Sequence, residues 1–282
     1  MKVINSSEQL NEEISALKKN GQTVGFVPTM GALHSGHLSL LEEAGKQCDI
    51  VVISIFVNPT QFNDISDFSK YPRTLDADVN LLTDVKCDIV FAPELKVIYP
   101  EQSDFKHTFG ELENKLEGSH RPGHFNGVGQ VLHRLFSIVK PDKAFFGLKD
   151  YQQFLIINRL VEDFAFPIEI IGCETRRDEN GLALSSRNTR LSELDYNNAL
   201  MLNQTLRAVR AAYQEGAGPE AILQMAEFQI KSNPAISLEY FEICDGKNLN
   251  ALIAFNPEAT PIALVAAKVG DVRLIDNMFL NV

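Results

Sequence analysis

Apolar positions along this chain follow two alternating rhythms. Thr23–Pro28 (TVGFVP) and Ile50–Val57 (IVVISIFV) are β-branched runs without charge, as expected of strands covered on both faces. Between them, His37–Gln47 carries Leu38, Leu40, Leu41 and Ala44 at helical spacing, which predicts a β-α-β unit. The alternation continues. Leu75, Val79, Leu82 and Val85 mark a helical face, and Asp88–Ala92 reads as a further strand. Val131–Val139 and Tyr151–Phe164 read as helices, with Ala144–Phe146 and Ile168–Gly172 as strands. This order predicts an α/β fold with a mostly parallel, doubly wound sheet, whose ligands sit beyond the carboxyl ends of the strands.

After Arg177 the texture changes. A long helical stretch, Ser192–Tyr213, is followed by the Gly216–Pro219 break and a second helix to Ile230. Three strand-like runs follow, Leu238–Ile243, Ile262–Val269 and Val272–Asp276, the last two joined by the hairpin signal Gly270-Asp271. The expected division is a larger domain over 1–176 and a smaller α+β domain over 177–282 acting as a lid.

Composition narrows the function classes. The chain has 282 residues and 45% hydrophobic content, enough for a core without covalent staples. No stretch approaches the ~20 apolar residues of a membrane span, and residues 1–10 lack the pattern of a secretory signal. A cytoplasmic location without membrane partners is expected. Cys48, Cys87, Cys173 and Cys244 are scattered without a Cys-x-x-Cys pair and read as buried thiols. With 26 Lys and Arg against 37 Asp and Glu, the net charge of −11 disfavours nucleic acid as a partner, while local positive clusters can still hold small anions.

The most informative segment is Pro28-Thr29-Met30-Gly31-Ala32-Leu33-His34-Ser35-Gly36-His37, which leaves a strand and opens a helix. Small residues admit backbone close to a ligand, and the free N–H groups and dipole of a helix start favour phosphate. His34 and His37, three apart, share one face, and their imidazoles suit phosphate oxygens or a metal clip. Asn58 and Gln61 follow the Ile50–Val57 strand, where neutral amides orient a hydroxy acid, unless Asn58-Pro59 simply caps a turn. Phe146-Gly147-Leu148-Lys149-Asp150 again joins strand end to helix start: Gly147 permits approach, Lys149 offers a cation, and Asp150 suits ribose or a helix cap. Ser185, Ser186 and Arg187 group two hydroxyls with a guanidinium, apt for a departing pyrophosphate or for capping beside Ser192. Arg121 and His124 sit in a Gly-containing loop, suited to the rim of an acyl pocket or to loop packing.

His34-Ser35-Gly36-His37 resembles the His-x-Gly-His signature of class I aminoacyl-tRNA synthetases and related nucleotidyltransferases. The longer string Val27–His37 resembles the pantothenate synthetases, or pantoate:beta-alanine ligases, much more closely. Ser54–Phe62, Tyr71–Thr74, Arg121–Phe125, Phe146–Gln153 and Gly181–Asn188 continue the resemblance in family order. It implies a Rossmann-like fold and ATP-dependent condensation of (R)-pantoate with beta-alanine through pantoyl-adenylate, with ATP as substrate alongside Mg²⁺. It also implies a homodimer. His34, His37, Lys149 and Arg187 are the expected catalytic charges. ATP is expected at Met30–His37, Gly147–Asp150, the main chain near Arg176, and Leu184–Arg187. Gln61 and Gln153 are the expected pantoate contacts, with Asn58 and Arg121 beside them. No protein metal site is expected: Asp76-Ala77-Asp78 has Ala where many relatives carry a second acid. Glu174–Arg177 is also more polar than the usual version. The nearest alternative is a nucleotidyltransferase acting on a phosphorylated acceptor, which the amide-rich Asn58 and Gln61 disfavour.

Overall fold

The computed structural model describes residues 1–63, 65–100 and 105–281. The chain folds as two compact units, Met1–Leu148 with Gln152–Glu174, and Lys149–Tyr151 with Thr175–Val282. In chain order the first unit contains β1 (Lys2–Ile4), α1 (Ser7–Lys19), β2 (Val24–Thr29), α2 (Ser35–Gln47) and β3 (Ile50–Ile55). There follow α3 (Ile65–Lys70), α4 (Leu75–Leu81), β4 (Ile89–Phe91), α5 (Leu95–Ile98), α6 (Leu116–His120) and α7 (His124–Val139). It closes with β5 (Lys143–Gly147), α8 (Tyr151–Asp163), whose first residue is assigned to the second unit, and β6 (Glu169–Cys173).

Six parallel strands among the described residues form one sheet, in the order β1-β4-β3-β2-β5-β6. Both faces are covered, and the alternation of side chains shows how. Phe26, Val52, Ile89, Ala144 and Phe146 enter one core, while Val27, Val51, Ile53, Val90 and Phe145 enter the other. A strand that is apolar on both faces needs no polar alternation, hence the uninterrupted runs in the sequence.

The order of connection reverses between β2 and β5. These strands pair only at Gly25–Lys143 and Phe26–Ala144; beyond that point β2 pairs with β3 alone and β5 with β6 alone. A crevice therefore opens at the carboxyl ends of β2 and β5, the switch point at which such sheets bind ligands. Pro28 lies in the part of β2 that pairs with β3 alone, where no N–H is called on by β5.

The second unit holds α9 (Glu193–Gln214) and α10 (Pro219–Lys231) with an antiparallel sheet β7-β8-β9 (Ile236–Asp245, Pro261–Val269, Val272–Phe279). Ser192 caps α9 by accepting the N–H of Asp195 at 3.1 Å. Leu202, Leu206 and Val209 of α9 pack with Ile222 and Ile230 of α10 and Ala263, Val265 and Ala267 of β8 in one core. Gly270 turns the β8–β9 hairpin with φ +55°. No helix among the described residues is long and apolar enough to cross a membrane.

Candidate active site

The segment after β2 makes a tight left-handed turn at Gly31 (φ +79°) and Ala32 (φ +50°) and then enters α2. Five of its backbone N–H groups are met by side chains. Gly31 N–H donates to Thr29 Oγ1 at 3.2 Å, and Ala32 and Leu33 N–H donate to the Asp78 carboxylate at 3.0 and 2.8 Å. His34 N–H donates to His37 Nδ1 at 3.3 Å, and Gly36 N–H to His34 Nδ1 at 3.1 Å. The sequence reading left the first amides of this helix open for phosphate; in the structure the histidine side chains take the N–H groups of His34 and Gly36. With each Nδ1 accepting, the neutral rings carry their proton on Nε2. The ring centroids are 4.1 Å apart with a 40° tilt.

After β3, Asn58 is 1% exposed. Its Nδ2 donates to Gln61 Oε1 and to the Gly127 carbonyl, both at 3.1 Å. Its Oδ1 accepts from Tyr99 Oη at 2.9 Å and from Thr60 Oγ1 at 3.0 Å. Burial pushes the Tyr99 phenol up from its ordinary value, which keeps it a neutral donor. The Asn58 amide is therefore spent on holding Gln61. That bond turns Gln61 Nε2 toward Met30 Sδ, 3.0 Å away, so the amide beyond β3 touches the loop beyond β2. The Gln61 carbonyl accepts from His124 Nδ1 at 2.8 Å and from Arg121 Nη2 at 3.4 Å.

Two adjacent glutamines at the start of α8 diverge. Gln152 is buried, donating to the Leu112 and Lys115 carbonyls at 2.7 and 2.9 Å and accepting Glu117 N–H at 3.0 Å. Gln153 is half-buried. Gly147 and Leu148 belong to the first unit at the end of β5, whereas Lys149 and Asp150 fall in the second. There the Lys149 carbonyl accepts Asn277 Nδ2 at 2.8 Å, and its ammonium lies 3.4 Å from Asp150 Oδ1. Also in the second unit, Leu184 N–H donates to the Arg176 carbonyl at 2.9 Å, and Ser185 Oγ accepts Arg187 N–H at 3.3 Å.

The Pantoate-beta-alanine ligase family model matches residues 2–279. The chain belongs to the pantoate-beta-alanine ligase family. It is 46% identical over 278 residues to a pantothenate synthetase of Bacteroides fragilis, covering 99% of this chain and 98% of that one. A pantothenate synthetase of Leptospira interrogans is 43% identical over 284 residues, covering 100% and 99%. Among solved structures, pantothenate synthetase from Thermus thermophilus superposes with a TM-score of 0.93 at 40% identity, covering 99% of both chains. Pantoate-beta-alanine ligase from Francisella tularensis, complexed with beta-gamma ATP and beta-alanine, gives 0.84 at 36% identity, covering 100% of this chain and 98% of that one. This membership does not favour the nucleotidyltransferase alternative.

Within this ligase, sequence reading missed Tyr99 and Gly127, and weighed Asp78 only as part of a metal candidate. Asp78 resembles one more helical acid, and the two backbone N–H groups it accepts lie 45 and 46 residues away. No group of three or more His, Cys, Asp or Glu among the described residues is arranged to hold a metal.

Proposed function

We propose that this ligase condenses (R)-pantoate with beta-alanine at the expense of ATP, giving pantothenate, AMP and pyrophosphate through a pantoyl-adenylate. The reading is carried by the 3.0 Å contact between Gln61 Nε2 and Met30 Sδ, which puts an amide suited to a hydroxy acid against a loop suited to phosphates.

The pantoate carboxylate, oriented by Gln61 and Gln153, attacks the α-phosphorus of ATP and expels pyrophosphate. The amine of beta-alanine then attacks the acyl carbon and AMP leaves. Proximity and charge stabilisation supply most of the rate, so the protein need form no covalent bond. The Nε2–H groups of His34 and His37 donate to phosphate oxygens as charge builds. Lys149, Arg187 and the hydroxyls of Ser185 and Ser186 answer the charge of the triphosphate. Gly147, Leu148, Asp150, Arg176 and Leu184 line the nucleotide. Mg²⁺ arrives on ATP oxygens with its waters, a mode that asks no carboxylate cage of the protein. Asn58 and Arg121 act on pantoate through Gln61. The residues from about 177 onward work as a lid, and the enzyme is a cytoplasmic homodimer, an assembly that the family resemblance supports.

The test is pyrophosphate release from Mg²⁺-ATP and D-pantoate, with and without beta-alanine. Steady turnover to AMP and pantothenate only with both acids is the expected result. Folded, ATP-binding protein that releases no pantoate-dependent pyrophosphate sinks the reading.

A further inference from the structure

We propose that Asp78 is a positioning residue that holds the nucleotide loop in its working conformation by acting as a resident anion; this rests on the ATP-dependent reading above. The carboxylate is 2% exposed. Oδ2 accepts Ala32 N–H at 3.0 Å and Thr74 Oγ1 at 3.2 Å, while Oδ1 accepts Leu33 N–H at 2.8 Å. Two successive amides thus converge on one carboxylate, as they would on a phosphate oxygen.

The loop needs such a hold. Ala32 stands at φ +50°, a conformation that L residues avoid and that persists only where the surroundings over-determine it. A Cβ on Gly31 would come within 3.0 Å of Asp78 Oδ2 and 3.1 Å of Ile55 Cγ2, so the turn is seated directly on the carboxylate and the end of β3. What the turn delivers is His34, which follows Leu33 and opens α2. Release of Asp78 would let Gly31–Leu33 relax and carry the His34–His37 cap with it. Each carboxylate oxygen accepts one backbone N–H of this loop.

The test variant is Asp78→Asn. Its single amide oxygen can accept one of the two backbone N–H groups, while its NH₂ faces the other. Hydrogen bonds to a charged acceptor are worth enough that kcat/KM for ATP should fall roughly tenfold to a hundredfold. Pantoate KM should change little, and raising Mg²⁺ should restore nothing. Amide hydrogen exchange gives a readout that does not depend on turnover: in the wild-type enzyme Ala32 and Leu33 should be protected comparably to β2, and Asp78→Asn should release these two while leaving β2 protected. Wild-type ATP kinetics in the variant, recovery at high Mg²⁺, or unprotected Ala32 and Leu33 amides in the wild type would each overturn the proposal. Should Asp78→Asn fail to fold, the wild-type exchange measurement still decides it. Wild-type protein lacking pantoate-dependent turnover would instead condemn the functional reading and leave the clamp to be judged by exchange.

Discussion

The His37 imidazole accepts the backbone N–H of His34 at 3.3 Å, so the two rings proposed to meet phosphate also hold the start of their own helix. Their two duties can be separated. His37→Ala removes a cap, at about 1 kcal/mol of stability, and a transition-state donor, at about 3 to 4 kcal/mol of catalysis. His37→Gln restores an acceptor at the position where Gln completes a capping box, but it is not an imidazole. Thermal melts should therefore recover in His37→Gln while pyrophosphate release stays about a hundredfold down. Turnover recovering together with stability would show that the ring is only a cap.

Gly127 fixes how closely α7 approaches the Gln61 shelf. A Cβ there would lie 2.2 Å from the Thr60 carbonyl oxygen and 2.8 Å from Gln61 Cα. Alanine is the better helix former by about 1 kcal/mol, yet forced overpacking costs about 1 to 3 kcal/mol, and backbone cannot swing aside as a flexible side chain does. Gly127→Ala should lower the melting temperature and raise pantoate KM severalfold more than ATP KM. Equal effects on both substrates, or none, would count against the shelf as the pantoate site.

The strands from Val24 to Phe91 were legible because the sheet is buried on both faces, and the loops at Met30–His37, Asn58–Gln61 and Gly147–Asp150 because each follows a strand end. Other features had no local signature. Lys2–Ile4 is only three residues long, and α1 went unread although Ser6 caps it at Gln9 N–H and Leu10 and Ile14 are buried four apart. Helix α7 begins at His124 and not near Val131, because Gly127 and Gly129 count against a helix in sequence but admit Thr60 and Phe109 in space. Asn58 reads as a substrate amide until its partners Gly127 and Tyr99, distant in sequence, show it to be buried behind Gln61. Contacts made by tertiary packing leave no periodicity to read.

In the second unit, Arg177 and Asp276 form a two-pronged pair, Nη1–Oδ2 2.6 Å and Nη2–Oδ1 2.9 Å, with the Asp276 side chain 4% exposed. Asp276 Oδ1 also accepts Asn277 N–H at 2.8 Å, and Asn277 Nδ2 donates to the Lys149 carbonyl at 2.8 Å. Removing one partner strands a buried charge, so Asp276→Asn should cost about 3 kcal/mol or more in urea unfolding. Arg177→Lys should fall short of wild type as well, since an ammonium cannot match both oxygens. A loss below about 0.5 kcal/mol in Asp276→Asn, within the range of ordinary surface substitutions, would mean that the pair is not closed in solution.

The alkaline limit of stability should be set partly by two thiols. Burial, with the Asp88 carboxylate adding to it, pushes Cys87 up from an ordinary 9.0 to about 12. Burial, helped by Glu43, pushes Cys173 to about 11. Below pH 9 both thiols are protonated whether the chain is folded or not, and the stabilisation is fully present. As pH rises above 9, the unfolded chain releases these protons while the folded protein keeps them, so unfolding is favoured progressively up to the folded values of about 11 and 12. Urea melts of the wild type and Cys87→Ala between pH 7.5 and 10.5 isolate the effect, because lysines and tyrosines titrate in both. The variant should start less stable at neutral pH and lose less as pH rises. Iodoacetamide should also label Cys87 of the folded protein at pH 8 far more slowly than a free thiol, since the thiolate is the attacking species. Parallel pH slopes in the two proteins, or labelling of Cys87 at the free-thiol rate, would show that the fold does not hold this proton.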